Sequence, residues 1–149
     1  MTSIQVFLGQ PRPGSPANFV GRPPIAEVLL APGPADDPIP SPKVYYALID
    51  TGSDYTAIDG LAAAEIGAET IGRASVRAMG AEYSEVSAVN VEVIFPGPQF
   101  AFSTRAAVLD LRGAGQSFDL ILGRSFLQHC RLVSDGPRNS YCLDFLTPN

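Results

Sequence analysis

The sequence predicts an all-β domain of mostly antiparallel strands with one or two short helices. Three observations carry this reading. Apolar runs are short, β-branched or aromatic, and bounded by turn signals; Val44-Tyr45-Tyr46-Ala47-Leu48-Ile49 is the clearest and reads as a buried strand. Val89, Val91 and Val93 alternate with Asn90, Glu92 and Ile94, the period of a half-buried strand. Fourteen Gly and fourteen Pro among 149 residues favour strands joined by turns over long helices. The length suits one domain, residues 1–149, with a sizeable core.

Taken in order, Ile4–Leu8 is a first strand, which Pro11, Pro13 and Pro16 break. Ile25–Leu30 and Val44–Ile49 read as two arms of a hairpin. Between them Ala31–Lys43 is proline-rich, carries Asp36 and Asp37, and reads as an exposed connector because proline cannot donate to a ladder. Asp59–Gly67 reads as a short helix, with Asp59 as candidate N-cap and Gly67 as candidate C-cap. Ala74–Met79 and Val86–Phe95 form a hairpin with its tip at Gly80–Ser84. Pro96-Gly97-Pro98 is a turn, Phe100–Leu111 a strand, and Arg112–Ser117 a flexible loop. Leu120-Ile121-Leu122 is a buried strand ending in Gly123, and Arg124–Cys130 a short helix. Arg131–Val133 and Tyr141–Phe145 are strands around a Ser134–Pro137 turn.

Composition excludes several function classes. The net charge of −5 argues against a nucleic-acid surface, which needs a basic patch. No apolar stretch is long enough to span a membrane, and no basic-then-apolar leader is visible at the N-terminus, so a cytoplasmic location is expected. Cys130 and Cys142 make no disulfide framework and read as buried free thiols in a reducing compartment, with a single bridge as the lesser alternative. His129 has only Cys130 beside it, whereas zinc needs about four ligands, so neither metal nor other cofactor is expected.

The chemistry concentrates where the Val44–Ile49 run ends, at Asp50-Thr51-Gly52-Ser53. A carboxylate at the end of a buried strand is costly unless it is hydrogen-bonded. Thr51 and Ser53 place hydroxyls beside it, and Gly52 lets the backbone turn sharply. A polar turn after a strand is the plain alternative, since so short a motif also arises by chance. A second informative stretch, Ile121-Leu122-Gly123-Arg124, lies further along. No second Asp-Thr-Gly exists: Asp135-Gly136 lacks the threonine and the apolar lead.

These two stretches, in this order and with a hairpin between them, resemble the retropepsin-like, single-lobe aspartic proteases over about Ile25–Phe145. The resemblance implies a closed β-barrel lobe and makes Asp50, Thr51, Gly52 and Ser53 the catalytic loop. It also implies an ion pair between Asp54 and Arg124, which both follow the motifs and are poorly placed for free solvation. Ser125 stands where retroviral members carry asparagine, which makes bacterial or cellular members the better comparison. The hairpin tip has fewer glycines than viral flaps.

One lobe supplies one aspartate and the implied chemistry needs two, so the resemblance implies a homodimer with the two Asp50 side chains at its axis. Two carboxylates roughly 3 Å apart cannot both ionise and share a proton. The ionised one activates water; the protonated one donates to the scissile carbonyl. Thr51 is assigned a hydrogen bond across the dyad. Ser53 is assigned one to the outer carboxylate oxygen, which favours the charged form. A peptide or protein substrate would lie extended beneath the hairpins as an added strand. Ile58, Met79 and Gly80 are candidate substrate contacts, with ordinary core packing as the alternative for Ile58 and Met79, as is Tyr83, for which an exposed turn tyrosine fits equally well. Leu120 fits core packing better. The competing reading is a catalytically silent module of this fold that binds peptides or dimerises and cuts nothing.

Overall fold

A computed structural model of the chain describes residues 2–8, 23–34, 38–77 and 84–145. Among the described residues, ten strands and two short α-helices follow one another as β1 (Thr2–Leu8), β2 (Pro24–Pro32), β3 (Tyr45–Ile49), β4 (Thr56–Asp59), α1 (Gly60–Glu65), β5 (Thr70–Val76), β6 (Ser84–Phe95), β7 (Phe100–Leu109), β8 (Leu120–Leu122), α2 (Arg124–Leu127), β9 (Cys130–Asp135) and β10 (Ser140–Phe145). The ladder runs β6-β7-β4-β8-β3-β2, and β2 pairs back onto β6 from Leu29↔Ile94 to Pro32↔Val91. That pairing closes a six-stranded barrel. The all-β class and the closed lobe are therefore as expected. Two of its pairs are parallel, β3–β8 and β4–β7; the others are antiparallel. Outside the barrel, β1, β10 and β9 continue the sheet from β2, and β5 lies along β6.

Alternation fills the barrel. Tyr45, Ala47 and Ile49 of β3 point inward, as do Val89, Val91, Val93 and Phe95 of β6 and Leu120 and Leu122 of β8. Phe126 of α2 stacks on Phe95 with ring centroids 5.3 Å apart, and Phe145 packs against Phe95 and Phe100 at 5.2 and 4.8 Å. Aromatic contacts of this kind add to plain area burial and pin α2 to the barrel. Glu92 breaks the expected alternation and is buried, because it lies between Ala31 of β2 and Ser103 of β7 with Gly33 against its stem.

Several boundaries differ from the sequence reading. Strand β4 was not expected. Asp59 ends it and also caps α1, its carboxylate accepting from the amides of Leu61 and Ala62. The helix closes at Ile66, and Gly67 follows with φ +73°, a conformation glycine adopts without strain. Strand β5 begins earlier than Ala74, at Thr70, and β2 runs on through Ala31 and Pro32. Helix α2 stops at Leu127, because Cys130 already pairs with Phe145 in the next hairpin. The hairpin tip, with Met79, Gly80 and Tyr83, lies outside the described residues, as do Pro11, Pro13, Pro16, Asp36 and Asp37. Both cysteines are free and half-buried rather than fully buried.

The Arg112–Ser117 segment is tied at its base rather than loose. Leu111 and Phe118 join Ile25 in a second small core on the outer face of the barrel. The Arg112 guanidinium donates to Asp119 Oδ1 at 2.8 Å and to Glu65 Oε1 at 2.7 Å, and its backbone amide donates to Asp59 Oδ1 at 2.9 Å. Asp119 in turn accepts from the Tyr46 amide at 3.0 Å. Glu65 also accepts from Lys43 Nζ at 3.0 Å and Tyr45 Oη at 2.9 Å. The Arg112 guanidinium, then Lys43 and Tyr45, hold the Glu65 carboxyl down at about 2, against an ordinary 4.5. A depressed folded-state value gives stability that is present above the unfolded value and lost as pH falls toward the folded one. The stability gap between wild type and Glu65→Gln should therefore close as pH falls from about 4.5 to about 2. The carboxylate is partly exposed, so the gap is screened and modest. Urea unfolding across that range measures it; a constant gap would count against the network.

Candidate active site

The site is built where two neighbouring strands end. Parallel pairing sets Ile49 of β3 beside Leu122 of β8, so Asp50 and Gly123 emerge side by side. The Asp50 amide donates to the Leu122 carbonyl at 3.0 Å, and the Ser53 amide donates back to the Asp50 carbonyl at 3.2 Å, closing a turn over Thr51-Gly52. Within that turn the Asp50 carboxylate is held at both oxygens. Oδ1 accepts from the Gly52 amide at 2.9 Å and Oδ2 from Ser53 Oγ at 2.8 Å. Two donors from adjacent residues fix its orientation, as a charged acceptor at a half-buried position requires. Thr51 and Gly52 are exposed, and Asp50 and Ser53 half-buried, so the carboxylate stands at the surface of the lobe.

The second motif clamps the loop from below. The Arg124 amide donates to the Ser53 carbonyl at 2.8 Å and the Ser125 amide to the Asp54 carbonyl at 2.9 Å. Between these bonds, Gly123 touches the loop backbone: a Cβ there would lie 2.8 Å from the Tyr55 carbonyl oxygen and nearer still to that of Ser53. The glycine of Ile121-Leu122-Gly123 is thus set by close backbone approach, and α2 starts directly from it. The two stretches singled out in the sequence form one docked unit.

The Asp54 and Arg124 side chains meet in an ion pair, but on the surface, 62% and 64% exposed. The expectation that they are poorly solvated is corrected: the ends of β3 and β8 open onto the lobe's rim, and only the backbones are covered. An exposed pair contributes at most about 1 kcal/mol. Arg124→Ala should accordingly lower stability by less than about 1 kcal/mol in urea unfolding, far below the cost of breaking a buried pair, about 3–5 kcal/mol.

Ile58 is also corrected. It is fully buried, on the inward face of β4 and paired with Leu120, and offers nothing for a substrate to touch. Leu120 is equally buried, as core packing requires. Met79, Gly80 and Tyr83 lie outside the described residues. Tyr55, not singled out in the sequence, is 75% exposed immediately after the ion-paired Asp54. A groove of about 220 Å³ lined by Ile4, Glu27, Val44, Phe95 and the Pro96–Pro98 turn contains no residue of the Asp50 loop. Among the described residues, no three His, Cys, Asp or Glu side chains are grouped to hold a metal, and no helix is long and apolar enough to cross a membrane.

Comparison with known proteins adds to this geometry. The model of the family described as aspartyl protease matches residues 43–126, from the approach to β3 through Phe126 of α2. The match spans both the Asp50 loop and the strand end that clamps it. No curated protein matches the chain. With the closed single-lobe barrel and the docked pair of motifs, the chain belongs to the aspartyl protease family, in its retropepsin-like form.

Proposed function

We propose that the protein is an aspartic endopeptidase that works as a homodimer, with one Asp50 from each chain forming the catalytic pair. The observation that carries this reading is the Asp50 carboxylate itself, oriented by Gly52 and Ser53 yet standing at the surface. An oriented carboxylate at a surface is half of a site, and a two-fold axis supplies the other half. Brought together, the two carboxylates share one proton. The ionised one takes a proton from a water that attacks the scissile carbonyl; the protonated one donates to the carbonyl oxygen. A proton then passes to the leaving nitrogen. Thr51, exposed at the loop's tip, is free to bond its symmetry mate across the dyad. Substrate lies extended between the loops and the β5–β6 hairpins, held by backbone hydrogen bonds. Residues 79, 80 and 83, which lie between β5 and β6 in the sequence, and the exposed Tyr55 are its proposed contacts. The half-buried free thiols of Cys130 and Cys142 suit a reducing compartment such as the cytoplasm.

The direct test is cleavage of a peptide library, with enzyme concentration varied through the dimer dissociation constant. Specific activity should fall on dilution as dimers dissociate. Peptide binding without cleavage at any concentration would instead favour the silent module. The pH dependence is a second expected result. Only the singly protonated pair is active, so activity occupies a window with a limb on each side. That window should be acidic, with its optimum below neutrality. Peptidase activity still rising through about pH 8 would indicate a different mechanism.

A further inference from the structure

Among the described residues, two side-chain polar atoms are buried without a hydrogen-bond partner: the hydroxyls of Thr56 and Ser125. Both belong to residues whose backbone adjoins the contact between the catalytic loop and the start of α2. Thr56 follows Tyr55, whose carbonyl oxygen packs on Gly123; Ser125 lies two residues beyond Gly123, and its amide holds the Asp54 carbonyl at 2.9 Å. Thr56 is only 2% exposed, at the start of β4 on the same inward face as Ile58. Ser125 adjoins Phe126, which fills the core above β8. Two residues with unpartnered buried hydroxyls thus flank the backbone contact between the loop's exit strand and α2.

A buried hydroxyl without a partner is unfavourable, and native interiors satisfy such groups with protein atoms or ordered water. A hydroxyl both donates and accepts, so one water can serve two of them. Buried waters of this kind make about three hydrogen bonds each and persist as part of the fold. We infer that Thr56 and Ser125 are positioning residues that share a single buried water, which ties the exit of the Asp50 loop to the first turn of α2. The backbone clamp fixes Ser53 and Asp54 from one side; the bridged hydroxyls fix the chain where it leaves the loop. The inference rests on the proposed proteolytic activity only for the consequence on rate, since the bridge itself is a property of the folded lobe.

A double-mutant cycle with Thr56→Val, Ser125→Ala and the pair tests it without reference to activity. Two readouts apply: thermal unfolding, and hydrogen exchange of the Ser53, Arg124 and Ser125 amides, which donate to the Asp50, Ser53 and Asp54 carbonyls. If one water serves both hydroxyls, removing either releases it. Each single change should then speed exchange at these amides about tenfold, and the double change should do little more than the worse single one. Thr56→Ser, which keeps the hydroxyl, should restore protection and guards against a Val variant that fails to fold. A crystal structure should place one water within hydrogen-bond reach of both oxygens. Additive effects, unchanged exchange, or hydroxyls bonded separately to protein atoms would overturn the inference. Where cleavage is measurable, the single variants should lower kcat about tenfold with KM little changed, because the loop that carries the carboxylate loosens while the substrate groove remains. A lobe with no peptidase activity but a coupled cycle would leave the bridge standing and remove the proposed reaction instead.

Discussion

Asp50→Asn should abolish peptide cleavage while leaving the lobe folded. The amide is nearly isosteric with the carboxylate, and its oxygen still accepts from Gly52 or Ser53, which hold the native side chain at 2.9 and 2.8 Å. It cannot take a proton from water. Loss of general acid–base catalysis costs about 10²–10⁴-fold, and more when the lost group is also half of a shared pair. The melting transition should stay close to that of wild type, since both groups sit half-exposed in the same turn. Mixing then separates a shared site from two independent ones. With Asp50→Asn chains in ninefold excess and free exchange, about nine in ten wild-type chains sit in mixed dimers by mass action. Specific activity per wild-type chain should fall about tenfold. Activity that ignores the mutant, and stays proportional to enzyme far below the dimer dissociation constant, would mean that each lobe acts alone.

The parts legible in the sequence are those set by neighbours along the chain. Asp50-Thr51-Gly52-Ser53 announces its turn, and two of those four residues supply the donors to the carboxylate. Leu120-Ile121-Leu122 reads as a buried strand, and its glycine marks the close approach that the fold confirms. What stayed hidden depends on distant partners. Strand β4 is four residues bracketed by Thr56 and Asp59, too short for a period of its own; it exists because Ala106–Leu109 and Ile121 flank it. Ile58 looked available to a substrate because the sequence shows only that it follows the loop, not that it turns inward between β7 and β8. The Asp54–Arg124 pair was placed correctly in contact but wrongly in burial: the backbone at a strand end is covered while the side chains leave over the rim. Arg112 gave no signal at all, because Asp59, Glu65 and Asp119 meet it only after the barrel has closed.

Gly123→Ala should damage the site severely, although Gly123 performs no chemistry. Its backbone is not the reason: φ is −97°, open to any residue. The constraint is space. A Cβ at this position would lie 2.8 Å from the Ser53 carbonyl carbon and 2.8 Å from the Tyr55 oxygen, with the Ser53 oxygen closer still. All three are backbone atoms, so no rotamer change relieves the overlap. Either the loop lifts or β8 retreats, and the amides of Arg124 and Ser125 then lose their carbonyl partners on Ser53 and Asp54. Overpacking of this kind costs about 1–3 kcal/mol. The larger effect falls on rate, because a displacement of about 1 Å at reacting groups can cost about 10²-fold, and a two-fold site suffers it in both halves. The expected result is a fall in kcat of about 10²-fold or more with a melting point lowered by several degrees. Gly136→Ala is the control: nothing lies within 4 Å of a Cβ there, and it should leave both readouts unchanged. Wild-type kcat in Gly123→Ala would mean that the loop does not depend on contact with β8, and that the two motifs are docked for stability alone.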